Sequence, residues 1–452
     1  MVKRNSTRPR MDVTGGGRGI VNHAGTRLVA DVADASGLTA GLSAAMAGTK
    51  QRRRGHDRGR VLVDLAVMLA DGGKTISDLA TLRNQPDLFG EVASNPTGWR
   101  TLEAVGESQL EAIATARAQA REAVWAAGAD PGFYVIDIDG TLVNSHSDKE
   151  GAAPTYKKGF GFHPIVAYLD ATNEALAVLL RPGNAGSGDA ADHVTVLDAA
   201  LAQLPVDPHQ VEVIARADSA GCSHGFLDSC RERGVVGGVG GVRFIVGHAL
   251  TQTVAKALMA VPKRRWQTAI SADGTDDCPG REIAEITDLL DLSRWPEGTR
   301  AVARREDPHP GAQLTFTDID GRRYQVMLTD HPEPDICFLE GLYRGRGRGE
   351  KRICDAKDTG LANLPSNNFE INTAWVNLVL IAQDLLAWTQ QLCLTGDLAK
   401  AQPKRLRYCL LHVAAVLTRS GRTTRLRLAP TWPWTPHLID AFNRLHATPL
   451  QV

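Results

Sequence analysis

The stretch Tyr343-Arg-Gly-Arg346-Gly-Arg-Gly-Glu350-Lys-Arg-Ile-Cys-Asp-Ala-Lys357 sets a hydroxyl, a guanidinium, a carboxylate and an ammonium at gaps of 3, 4 and 7 residues. At about 100° per residue, four such positions fall within about 60° of arc on one helix face. One carboxylate among three groups that seek phosphate suits an acid that holds a metal ion against a nucleic-acid backbone. The plainer alternative is a solvated basic helix. Glycines 345, 347 and 349 interleave the pattern, and each costs a helix roughly 0.5–1 kcal/mol against alanine. They predict a helix that begins only near Glu350, with Tyr343 and Arg346 on a loop that orders upon DNA.

Two further acids stand at the ends of apolar runs. Phe133-Tyr-Val-Ile136 meets Asp137-Ile-Asp139, and Val211-Glu-Val-Ile-Ala215 leads to Arg216-Ala-Asp218. Both runs read as buried strands. Ile165 to Leu169 and Ala175 to Leu180 read as partner strands, and Asp189 to Ala202 as an amphipathic helix. A lone Asp often does no more than cap a turn. Three acids on separate elements instead suit Mg²⁺, with its hard oxygen ligands, and a pair of ions about 4 Å apart suits phosphodiester chemistry.

The same residues admit a competitor. Asp137-Ile-Asp139-Gly140-Thr141-Leu-Val matches the first motif of haloacid-dehalogenase-type phosphatases, in which Asp137 would be the nucleophile of a magnesium-dependent reaction. The later acidic pair of that family is missing, because Gly188-Asp189-Ala-Ala-Asp192 has the wrong spacing and lies in a helical stretch. Gly73-Lys74-Thr75 likewise fails as a phosphate loop, since Met68 stands where glycine is required.

The 452 residues allow two to four domains, and 43% apolar with 23% charged residues is ordinary for a globular chain. Neither an apolar run of membrane length nor a signal peptide is evident, so the reading is a cytoplasmic protein with no membrane partner. The seven cysteines are scattered and never form a Cys-x-x-Cys pair, which argues against a disulfide framework and a zinc knuckle. Basic and acidic residues balance at 51 each. That total disfavours a nucleic-acid binder, but local patches set the field. Residues 404–427 carry Lys404, Arg405, Arg407, Arg419, Arg422, Arg425 and Arg427 and no acid. Residues 50–60 carry Arg52, Arg53 and Arg54 among six basic side chains against Asp57 alone.

The first ten residues read as a basic arm, and Leu28 to Leu42, around Gly37, reads as a helix-turn-helix whose second helix lacks Arg, Lys and Asn. Gln313 to Asp318 and Tyr324 to Leu328, around Asp320-Gly321, read as a hairpin. Phe369 to Leu392 reads as a long apolar helix and Leu406 to Leu417 as another.

The chain resembles bacterial insertion-sequence transposases of the DDE class, in the group with a Y-x2-R-x3-E-x6-K signature. Tyr343, Arg346, Glu350 and Lys357 match its four letters, and the flanks of Asp139, His146, Asp218 and Ala356 look similar. The resemblance implies an α/β fold: a ribonuclease-H-like mixed sheet flanked by helices, a helical N-terminal domain, and a β-rich insertion before the catalytic Glu. The implied organisation is a DNA-binding region over 1–125, a core in two parts at 126–240 and 336–400, the insertion at 241–335 and a basic helical tail at 401–452. Asp139, Asp218 and Glu350 would be both catalytic and metal-binding, with two Mg²⁺ ions per site and Mn²⁺ able to substitute. Asp139 is preferred to Asp137 because the family reads D-x-T and Thr141 supplies the Thr. Tyr343, Arg346, Lys357, Arg52, Arg53, Arg54, Lys404, Arg405 and Arg407 would bind DNA. The implied partners are double-stranded transposon ends and target DNA, engaged by a homodimer. Trp266 and Trp295 lie in the inserted region, where relatives stack a flipped base.

Overall fold

The computed structural model describes residues 11–50, 55–234, 240–271, 276–308, 311, 318–421 and 423–450. The basic arm, Arg52 to Arg54 and most of the first half of the expected 313–328 hairpin lie outside them.

Helices α1 (Thr26–Ala35), α2 (Leu38–Met46), α3 (Arg58–Ala70) and α4 (Glu107–Val124) form the N-terminal part. Gly37, at φ 78°, takes the left-handed turn between α1 and α2 that other residues resist. The pair is therefore a helix-turn-helix in outline, but α2 is clamped. A Cβ on Gly41 would lie 2.8 Å from Ala116 of α4, and one on Gly59 of α3 would strike the α2 backbone. Only Ala40 and Ala44 of α2 are exposed, and the half-buried Thr39 and Ser43 already donate their hydroxyls to Asp34 and Asp57.

The centre is a nine-stranded mixed sheet. Its strands are β1 (Tyr134–Gly140), β2 (Ile165–Leu169), β3 (Ala175–Leu179), β4 (Glu212–Ala217), β5 (Gly241–His248), β6 (Gln267–Ile270), β7 (Asp277–Glu285), β8 (Arg300–Glu306) and β9 (Arg323–Thr329). They lie in the order β6-β7-β8-β9-β5-β4-β1-β2-β3. β1, β4 and β5 run parallel, and every other neighbouring pair is antiparallel. The residues after β5 thus continue the same sheet outward instead of building a separate layer.

Side-chain alternation gives the sheet two faces. Ile136, Ile138, Ala215, Ala217, Phe244 and Val246 enter the main core. Helices α5 (Ala190–Leu201) and α6 (His224–Glu232) provide the crossovers that parallel strands need. On the other face, Val135, Ile214, Ile245, Val302 and Met327 pack under Ile336 and Leu339 of α7 (Ile336–Arg344). α8 (Gly347–Ala356) follows at once, and α9 (Phe369–Cys393) passes the β3 edge. There Asp384 and Glu174 bind Arg117 and Arg121 of α4 at 2.8–3.0 Å, with all four side chains at most 3% exposed.

The C-terminal segment departs from its expected helix. After Leu411 the chain forms a β-hairpin, β10 (Ala415–Ser420) and β11 (Thr423–Leu428). Here Val416, Thr418, Thr423 and Thr424 are β-branched, Arg425-Leu-Arg-Leu428 alternates polar with apolar side chains, and Gly421 at φ 60° supplies the turn. Ile20 and Val21 pair with Val416 and Ala415, which brings the two ends of the chain together. Among the described residues no helix is long and apolar enough to cross a membrane.

Candidate active site

The register of β1 against β4 sets the first two acids side by side. Asp137 faces Arg216 and Ile138 faces Ala217, so Asp139 and Asp218 are the next residues along two parallel neighbours. They project to the face that α7 and α8 cover, as residues two apart must. The third acid arrives on α8. Arg346 and Gly345 between α7 and α8 keep helical dihedral angles, and Tyr343 is on α7 itself. The expected loop is therefore absent, and the signature rides on nearly continuous helix.

Tertiary contact explains the glycine at 345. A Cβ on Gly345 would sit 2.5 Å from the Arg216 guanidinium, whose Nη1 donates to the Leu342 carbonyl at 2.5 Å. A Cβ on Gly349 would meet Asp137 at an ordinary 3.9 Å, and one on Gly347 would face open space.

Arg346 stands among the three acids. Its Nη1 is 3.7 Å from Asp139 and its Nη2 is 3.7 Å from Glu350. Burial works against the charge on Arg346, but Tyr343, Asp139, Asp218 and Glu350 together raise its pKa. Burial, then the charge of Asp218, pushes Asp139 up to about 7, against the pull of Arg346. The guanidinium bridges Asp139 and Glu350, and Asp218 acts on both Arg346 and Asp139 through its charge. With 4.8 Å as the limit, the only group of three or more ligand-type side chains among the described residues is His23, Asp71 and His412, elsewhere in the molecule.

Tyr343 reaches over Asp218. A Cβ on Gly247 of β5 would lie 2.3 Å from the Tyr343 hydroxyl and 3.1 Å from the Ser219 nitrogen beside Asp218. Burial, foremost, raises the pKa of this phenol, which also bonds Arg346. Gly247 carries no signal of its own in the sequence. Only the register, which puts it opposite Met327 and beyond Ile245, exposes its role.

A second group missed by sequence reasoning lies directly behind the acids. Asp137 is 2% exposed and accepts from Arg216 at 2.5 and 2.7 Å and from Arg352 at 2.7 Å. Asp170 joins Arg216 at 3.1 Å and Arg352 at 2.5 Å, and accepts from Arg348 as well. Each acid of the site is two residues from a member of this network: Asp139 from Asp137, Asp218 from Arg216, Glu350 from Arg352. The network pins α8 to β1 and β4. It also disfavours the phosphatase reading, because both oxygens of a 2% exposed Asp137 are taken up by Arg216 and Arg352 and neither is open to a phosphate ester.

The remaining expected DNA contacts divide. Lys357 is half-buried at the end of α8 and makes no ion pair among the described residues; burial, then the charge of Lys157, lowers its pKa. Lys404 is exposed and 2.8 Å from Asp358, and Arg405 is exposed and 3.7 Å from Asp397. Arg407 is a correction. It is buried, and its three nitrogens donate to the carbonyls of Ala70, Leu69 and Asp358, where it closes the C-terminal end of α3. Trp266 is covered by Arg305 at 4.1 Å, and Trp295 stacks on His224 at 4.0 Å.

A family model described as "Transposase DDE domain group 1" matches residues 3–450. No curated protein matches the sequence. Among solved structures, the cryo-EM structure of a piggyBac transposase synaptic complex with hairpin DNA is similar at a TM-score of 0.43 and 8% identity, over 88% of this chain and 83% of that one. With its sequence matched almost from end to end, the chain belongs to the DDE transposase domain group 1 family.

Proposed function

We propose that the protein is an insertion-sequence transposase of the Tyr-Arg-Glu-Lys group, which binds terminal inverted repeats, hydrolyses a phosphodiester to free a 3′-hydroxyl and joins it to target DNA. The observation that carries this reading is the gathering of Asp139, Asp218 and Glu350 about one guanidinium, on strands and a helix locked together behind them. The order β3-β2-β1-β4-β5 supports a ribonuclease-H-like core, with 126–240 and 336–400 as its two parts and β5, from 241–335, as its fifth strand.

The donor set fits divalent cations. All three ligands are hard oxygens, and Asp139, half-buried beside Asp218, resists ionisation without added positive charge. Asp139, Asp218 and Glu350 would hold two Mg²⁺ or Mn²⁺ ions, which when bound activate an attacking oxygen and neutralise charge on the leaving one. The chain's own residues do the rest. Tyr343 and Arg346 orient the scissile phosphate, Lys357 beside Lys157 grips a flanking one, and Lys404 and Arg405 follow the backbone outward. Arg52, Arg53 and Arg54 are assigned the same role.

Incubation with Mg²⁺, a fragment carrying the ends of the flanking element, and a target plasmid tests this. Release of 3′-hydroxyl ends and their joining to the plasmid are expected. Bound ends with neither product would contradict the proposal.

A further inference from the structure

Three distant segments converge at the rear of α3. His23 follows the strand Ile20–Val21, Asp71 caps α3, and His412 precedes β10. The ligand atoms of these side chains all lie within 4.8 Å of one another. His23 Nδ1 is 2.6 Å from Asp71 Oδ2, and His412 Nε2 is 3.3 Å from Asp71 Oδ1. The two imidazoles lie with centroids 4.3 Å apart. Thr26 donates its hydroxyl to Asp71 Oδ1 at 2.5 Å and so orients the carboxylate from behind. His23 holds its place at φ 52°, a conformation that non-glycine residues adopt at a cost. Asp71 is 5% exposed, whereas His412 is 39% exposed and borders a cavity of about 570 Å³ with Lys404, Tyr408 and Trp432.

We propose that His23, Asp71 and His412 form a site for a divalent transition ion of the zinc class, which staples the N-terminal strand and the C-terminal hairpin to the end of α3. Two imidazole nitrogens and one carboxylate oxygen form a three-ligand zinc set, with the fourth position open towards water or the cavity. Metal–ligand bonds of about 2.0–2.2 Å place ligand atoms roughly 3–4 Å apart, so small side-chain shifts complete the geometry. The imidazoles separate this site from the all-oxygen acid cluster, which suits Mg²⁺. His412 Nε2 bonds the Asp71 carbonyl at 2.8 Å, so any proton it carries must leave for solvent when the ion binds. Arg407 opposes the ion with its charge, though its guanidinium is already committed to backbone carbonyls.

The test uses the full chain, stripped of metal with a chelator and titrated with Co²⁺ and then Zn²⁺. The visible d–d band of four-coordinate Co²⁺ should appear, yield to stoichiometric Zn²⁺, and be accompanied by a rise in melting temperature. Both signals should survive in Glu350→Gln and vanish in His412→Gln. His412 is half-exposed, so that variant folds even where Asp71→Asn does not. No band in the wild type marks a hydrogen-bonded cluster only and overturns the proposal, as does a band retained by His412→Gln.

Discussion

A side chain on Gly247 would meet the Tyr343 hydroxyl 2.3 Å away, so this position sets how closely the phenol approaches Asp218. Gly247→Ala should displace Tyr343, cost about 1–3 kcal/mol by overpacking and lower cleavage of end DNA by up to about 100-fold through misplacement alone. Tyr343→Phe in the same chain should recover most of the stability. Urea denaturation with a single-turnover cleavage assay checks both, and unchanged cleavage in Gly247→Ala would contradict the packing described. The candidate acids could be picked out at this scale, because strands ending in Asp and the signature spacing are local patterns. The choice of Asp139 over Asp137 rested on resemblance. The separate work of Asp137 emerges only from its guanidinium partners, which come from β4 and α8.

Among the elements, α8 carries the heaviest electrostatic anchoring. Asp170 is held well below the usual carboxylate range: burial pushes it up, but the hydrogen bond from Arg348 and the charges of Arg216 and Arg352 outweigh that. A carboxyl depressed in this way stabilises the fold above its unfolded value, and that contribution is lost as pH falls through the folded one. Asp170→Asn should therefore cost about 3 kcal/mol at pH 7, with a gap from wild type that narrows in acid below about pH 4. Urea midpoints at neutral and acid pH measure it; equal stability at pH 7, or a gap that widens in acid, would contradict the role. The same anchoring explains the misread loop. Propensity counted the glycines as helix breakers, whereas Gly345 gives Arg216 room to reach Leu342, and tertiary bonds outweigh the local cost. The expected helix at 406–417 holds to Leu411, and its second half is misread for another reason: Val416 and Thr418 favour the strand that pairs with β11 over the apolar content read as helix.

At the scale of the whole molecule, the proposed function brings DNA to acids at the ends of the parallel strands and assigns Lys357, beside Lys157, to that approach. Lys357→Ala should weaken end binding and reduce the salt slope by about one contact's worth, roughly 0.9 in log–log units. Fluorescence anisotropy across a salt series reads this directly, and an unchanged slope would remove Lys357 from the phosphate grip. The sheet's extension through β9 and the pairing of Ile20–Val21 with β10 were not legible, because both join segments far apart in sequence whose local patterns say nothing of partners. The central claim is that Asp139, Asp218 and Glu350 act as one cation-binding unit. The measurement that tests it most directly is single-turnover cleavage of end DNA in Mg²⁺ by Asp139→Asn, Asp218→Asn and Glu350→Gln, each at saturating occupancy. All three should bind end DNA within a few-fold of wild type and lose at least about 1,000-fold in cleavage, whereas wild-type cutting by any one of them would contradict the account.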